Sequence, residues 1–330
     1  MCLANEEAPT NTTSPKALDD RGQLTVAHPH YEPMSLMTKV IWYAVIPIVA
    51  PIIVSYKFIT DKSYRSTTSN LYSLVKGATS NPCSADWYFQ DVGLLRQLWS
   101  LPSAQAYIGN SNTNAAASSS PLLEYQVREG YCGSATQRCI LKSLGYPSSS
   151  IPDQKPGESK PEIWCEHVKQ MAKNASSSSN ESNITEIETT IVRGNEVSYQ
   201  EFLSTLRQGL ENENCRISCN FLRSALTGFE LSGFWKFHPL LCLLKLYGGH
   251  FSPILGMIEQ KEEQEIDNDD DNEKEEKENP FVAIWDTNHK YNGAYFVPCR
   301  RLYEAVSSID VGSNKSRAII LVEKKQLEKL

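Results

Sequence analysis

Positive charge is what the sequence most plainly lacks: 32 Lys and Arg stand against 39 Asp and Glu, a formal net charge of −7. With no basic stripe or patch, nothing in it points to nucleic acid as a partner. The negative charge is itself local. Residues 259–279 hold twelve acids against three lysines, so the rest of the chain is close to neutral. Such a run reads as a solvated loop insertion, which a fold tolerates cheaply.

A cysteine framework is also missing. Nine cysteines, at 2, 83, 132, 139, 165, 215, 219, 242 and 299, are odd in number and follow no scaffold spacing. That argues against a disulfide-built domain and suits a reducing compartment. Cys215 and Cys219 have no second ligand pair at zinc-site spacing, so they read as small buried thiols beside a strand. An ordinary cleaved signal peptide is not expected either. The one long apolar run begins too far from the N-terminus and follows an acidic, not a basic, region.

That run, Val40–Tyr56, has seventeen uncharged residues (VIWYAVIPIVAPIIVSY). Pro47 and Pro51 would cost a helix in a soluble core heavily, and a membrane tolerates them better. The expectation is one transmembrane anchor over 39–59, behind a disordered polar tail at 1–38 and ahead of a polar stem at 60–84. Lys57, Lys62, Arg65 and Lys76 follow the run, against Arg21 and Lys39 before it. The positive-inside rule then makes the protein single-pass with its body in the cytosol. Glycosylation triplets at Asn174, Asn180, Asn183 and Asn314 would matter only in a lumenal body. Ser/Asn-rich stretches generate them by chance.

The body is expected over residues 85–330. Gly133–Leu144 reads as a short helix ended by Gly145-Tyr146-Pro147, and 161–173 and 199–212 as further helices. Residues 147–160 and 174–186 are Ser/Pro/Asn-rich and read as loops. From Arg216 the signals turn to strands, at 216–221, 251–258, 281–285, 294–297 and 317–323. Helices first and strands second make an α+β order.

Chemistry gathers at Gln126-Val-Arg-Glu-Gly-Tyr-Cys132-Gly133, directly before a helix. A cysteine at a helix N-terminus feels the positive end of the dipole, which favours thiolate, and Gly133 lets the backbone turn tightly. A thiolate nucleophile needs a base, a group to orient the base, and donors for an oxyanion. His250, in Gly-Gly-His-Phe-Ser-Pro, opens a strand; Asp286 ends the apolar run Phe281–Trp285; Gln126 stands six residues before the cysteine. Singly, each has a plain alternative: a buried thiol, a core histidine, a turn residue.

In combination these segments resemble the phytochelatin synthase family, the glutathione γ-glutamylcysteinyltransferases of the papain-like superfamily. Gln126 to Gly133 is similar to the family's Gln-x-x-x-small-aromatic-Cys-Gly segment, and Gly249 to Pro253 matches its Gly-His-Phe-Ser-Pro. Ala283 to Tyr291, followed by Val297-Pro298, is similar to its aspartate segment, and Glu304–Asp310 and Arg317 to its last helix end and strand. The likeness runs in order through about residues 100–325.

The resemblance implies an α+β papain-like fold, a helical half packed on an antiparallel sheet. It implies that Cys132 takes the γ-Glu-Cys acyl group from glutathione and releases glycine. His250 would serve as base and then acid, Asp286 would orient it, and Gln126 would help hold the oxyanion. Asp310 and Arg317, with Gly249 and Phe251 nearby, would bind the γ-glutamyl head: a zwitterion calls for one carboxylate and one guanidinium. A surface ion pair remains an equal alternative for Asp310 and Arg317. No obligatory cofactor is implied. Cadmium or zinc would enter as a glutathione thiolate complex, and no dedicated metal site is visible.

There are departures from the family. The arginine usual shortly after the aspartate is replaced by Thr287-Asn288-His289, with Lys290 and Tyr291 beyond. A hydrophobic insertion occupies 229–247, and the cysteine-rich extension of longer plant-type members is absent. A deglycinating thiol peptidase is therefore a rival to peptide synthesis. A catalytically silent, membrane-anchored metal binder is a rival of another class.

Overall fold

A computed structural model describes residues 18–29, 36–62, 64–65, 90–108, 121–157, 160–178, 185–223, 226, 249–259, 280–291, 293–310 and 313–326. Leu36–Val40 (α1) and Ile46–Thr60 (α2) are joined without a break by the π-helical turn Ile41–Val45. Val92–Leu98 (α3), Pro102–Gln105 (α4), Cys132–Ser143 (α5) and Pro161–Ser178 (α6) precede the first strand, Thr185–Arg193 (β1). Tyr199–Glu211 (α7) follows, then Cys215–Leu222 (β2), Gly249–Ile258 (β3), Phe281–Trp285 (β4), Ala294–Pro298 (β5), Cys299–Ser307 (α8) and Ala318–Gln326 (β6).

The six strands form one antiparallel sheet in the order β1-β6-β2-β3-β4-β5. The class is α+β, as the order of sequence signals indicated. Helices cover both faces, so the central strands are buried on both sides; β2 buries Ile217, Cys219 and Phe221 on one face and the polar Arg216, Ser218 and Asn220 on the other. In β4, Val282 and Ile284 join the cluster under α7 and α8, while Ala283 and Trp285 join the one under α3 and α4. A third cluster packs α5 and α6 over Phe251, Ile320 and Val322.

Local signals explain the elements. α7 opens with a complete capping box, Ser198 with Glu201, and buries Phe202, Leu203 and Leu206 at helical spacing. Full burial of a side chain like Phe202 contributes about 1.5–3 kcal/mol. α5 runs out at Leu144, and Gly145 follows at φ +87°, a left-handed position suited to glycine.

Several expectations change. Within the stretch expected to be a disordered tail, residues 18–29 lie against the body: Leu24 is buried in its core, and Gln23 exchanges two hydrogen bonds with the Ala294 backbone. In the expected stem, Tyr64 is likewise core; residues 66–89 lie outside the described residues. α6 runs five residues into an expected loop, and β1 was not expected at all. No helix among the described residues is long and apolar enough to cross a membrane. The insertion at 229–247 and nearly all of the acidic run, 260–279, also fall outside the described residues.

Candidate active site

Cys132 is the first residue of α5, with Tyr131 as its N-cap. The tight turn that delivers it is made at Gly130, whose φ is +86°. Gly133, expected to make that turn, is instead helical, and its backbone is approached by Gly157, where a Cβ would lie 3.4 Å from Gly133 Cα. Trp164 donates its indole N–H to the Gly133 carbonyl, fixing this first turn against α6.

His250 opens β3 and is buried. Its Nε2 lies 3.0 Å from Asp286 Oδ1, which leaves the other ring nitrogen for sulfur. The Cys132 thiol is hydrogen-bonded to the His250 side chain and to the Phe251 backbone N–H. The three residues named from the sequence as nucleophile, base and orienter are therefore in one hydrogen-bonded chain. β3 and β4 pair antiparallel, which places His250 at the start of one near Asp286 just past the end of the other.

The electrostatics follow from this chain. Burial pushes the Cys132 thiol up, yet the His250 ring, its hydrogen bond, the Phe251 N–H and Arg223 together bring it below its ordinary value. For His250, burial and Arg223 oppose protonation, but Asp286 and the Cys132 sulfur prevail and raise it. Asp286 is fully buried; burial works against its charge, but His250, Arg223 and the Asn288 N–H hold it at about 2. The arrangement favours a thiolate–imidazolium pair, the state needed to attack a carbonyl carbon.

The other five described cysteines behave oppositely. Cys139, Cys165, Cys215, Cys219 and Cys299 are buried, and burial is the leading cause raising each thiol. Cys219 donates to the Ser252 carbonyl, so it and Cys215 are core thiols. Among the described residues no group of three or more His, Cys, Asp or Glu could hold a metal ion.

Gln126 is buried beside the segment after Asp286, its backbone N–H donating to the Thr287 carbonyl at 2.6 Å. Its amide nitrogen lies 3.4 Å from Glu129 Oε2, and its oxygen meets no partner. Asn288 Nδ2 and Lys290 Nζ also point to Glu129, at 3.2 and 3.4 Å.

Asp310 and Arg317 face each other across a tight hairpin closed by the Ile309–Ser316 bridge, with Asn314 at φ +58° in its turn. Arg317 Nη1 is 3.6 Å from Asp310 Oδ1 and makes no hydrogen bond, although the side chain is only 1% exposed. Burial lowers Arg317, with Asp310 opposing. This guanidinium reaches over Gly249, the residue before His250; a Cβ there would collide with Nη1. Gly249 therefore belongs to the arginine's seat, and Phe251 contributes its backbone N–H while its ring stacks on Trp164.

Two residues at this centre were not expected from the sequence. Arg223, just past β2, sends Nη2 to both Asp286 oxygens at 2.8 Å and lies 4.0 Å over the Tyr291 ring. Asn220, buried on β2, has both amide atoms unpartnered and lies alongside Gly249. The signal for both was the strand Cys215–Leu222 itself, two strands from the cysteine helix in sequence but adjacent to β3 in space. No protein-family model matches the chain, and no curated protein matches it.

Proposed function

We propose that the chain is a glutathione γ-glutamylcysteinyltransferase acting through a thioester on Cys132. The observation that carries this reading is the joining of two chemistries at one strand end. A Cys132–His250–Asp286 chain sits beside the buried Arg317, whose Nε donates to Ser308 Oγ while Nη1 makes no hydrogen bond, with Asp310 across from it. The γ-glutamyl head carries one ammonium and one carboxylate. Asp310 would take the first, and Arg317 with the Asn220 amide the second, so filling donors that are otherwise left buried without partners.

In this mechanism the His250-held thiolate attacks the Cys-Gly carbonyl of glutathione. The oxyanion is held by backbone N–H at the start of α5 and by Gln126, whose amide would turn from Glu129. Imidazolium then protonates the leaving glycine amine. The resulting thioester passes γ-Glu-Cys to a second glutathione, presented as its cadmium or zinc thiolate. A helix headed by Cys132 and packed on a six-stranded antiparallel sheet supports a papain-like arrangement.

A second reading, deglycination by water, is favoured by one observation. Thr287 to His289 supplies no arginine for an acceptor, and Lys290 Nζ points to Glu129. Purified full-length protein incubated with glutathione and cadmium or zinc separates the two. Glycine together with longer thiol peptides is expected for the transferase; glycine alone assigns the hydrolase. Equal behaviour of wild type and Cys132→Ala would remove both.

A further inference from the structure

The run from Leu36 to Thr60 is helical throughout and is the one large apolar surface among the described residues. Twelve of the thirteen exposed large hydrophobic side chains lie on it, including Leu36, Ile48, Ile52, Tyr56 and Ile59, each at least 64% exposed. A contiguous patch of this kind on a lone soluble domain marks a contact surface.

The flanks of the run decide its geometry. On the N-terminal side, Gly22 accepts from Trp99 Nε1 at 2.8 Å, Gln23 grips the Ala294 backbone, and His28 stacks on Tyr125 at 5.1 Å. On the C-terminal side, Asp61 accepts from Asn314 Nδ2 at 3.2 Å and Tyr64 is core. The helix leaves the body and returns to the same body. A single crossing of a bilayer would put residues 18–29 and the domain that holds them on opposite sides, breaking every one of these contacts.

Composition points to lipid as the occupant. Val40–Val54 contains no charged residue, whereas a protein partner's surface is met by mixed polar and apolar groups. Basic residues cluster where the run ends: Lys57, then exposed Lys62 and Arg65. Acyl chains for the apolar face and anionic headgroups for the cations complement both features.

We infer that Leu36–Thr60 is an in-plane lipid anchor, sunk along one leaflet with both flanks and the body on one side. This replaces the single-pass topology expected from the sequence and does not depend on the proposed reaction. The test uses the full chain. Flotation with phosphatidylcholine vesicles should recover it, and phosphatidylserine should increase recovery severalfold. Ile48→Glu combined with Ile52→Glu should lower binding at least tenfold with the thermal midpoint unchanged. Lys62→Glu with Arg65→Glu should remove only the phosphatidylserine increment. When the chain is synthesised onto microsomes with a tag at each end, added protease should remove both tags. Protection of the N-terminal tag alone would restore the span and overturn the inference. Concentration-dependent dimers without flotation would assign the helix to a second copy, and absence of both would equally overturn it.

Discussion

Cys132 and Cys139 lie on the same helix, two turns apart, and their environments drive them in opposite directions. Cys139 is sealed between α5 and the Glu124 segment, where burial first and Glu124 second raise its thiol to about 12. Cys132 is also drawn upward by burial, yet His250, Phe251 and Arg223 overcome that and lower it. Residue type and helix are shared, so the difference comes from position. One sulfur is at the helix N-terminus against a buried imidazole, and the other is in mid-helix against a carboxylate and a carbonyl.

The largest expected effect breaks the comparison outright. Cys132→Ala should reduce glycine release from glutathione by on the order of 10⁴-fold or more, as removal of a nucleophile does. Cys139→Ala should leave turnover in place and instead lower stability by about 1–3 kcal/mol, the scale of a small core deletion, measurable by urea denaturation. If both variants lose turnover while remaining folded, the distinction between the two sulfurs is wrong.

Next in size is Asp286→Asn. The imidazole would lose the charge that orients it and supports its proton, and Arg223 would lose its anion. The expected fall in kcat is about 10²–10⁴-fold. Retention of full kcat would remove Asp286 from the chain of proton control.

Arg223 sharpens the comparison through pH. It lowers Cys132 and opposes protonation of His250, so its loss should raise both. Arg223→Gln should therefore move the acid and alkaline limbs of the kcat/KM profile both to higher pH. A purely structural loss would reduce activity without moving the limbs.

The smallest effects are thermodynamic. Thiol alkylation of the folded protein should mark Cys132 well below pH 9 and leave Cys139 unmarked until unfolding. Cys139's folded value lies above its ordinary 9, so its contribution to stability is full below pH 9 and lost as pH rises toward 12. Asp286, held at about 2 against an ordinary 3.8, contributes above pH 4 and loses that contribution as pH falls toward 2. Denaturation midpoints across pH would show the two opposite slopes.

Much of this centre was legible in the amino-acid sequence, because its chemistry lies at element ends that have local signatures. Cys132 begins an amphipathic helix, His250 stands at the start of a strand behind a glycine, and Asp286 follows an unbroken apolar strand. What was not legible depends on register. Arg223 and Asn220 sit at the end of β2, and only its pairing with β3 reveals that they flank His250. β1 carries a weak signal because Thr185–Arg193 is an edge strand whose first six residues hold three Thr and two Glu, polar despite its β-branched residues. The packing of residues 18–29 was hidden for a similar reason: it rests on Leu24, Gln23 and a stacked histidine, too few apolar residues to mark a segment.

The most direct measurement is to trap the acyl-enzyme. Protein mixed briefly with glutathione, acid-quenched and digested should give a Cys132 peptide heavier by glutathione less glycine. That adduct should be absent in Cys132→Ala and greatly reduced in His250→Ala. Glutathione turnover with no adduct on Cys132, or with the adduct on another cysteine, would contradict the account.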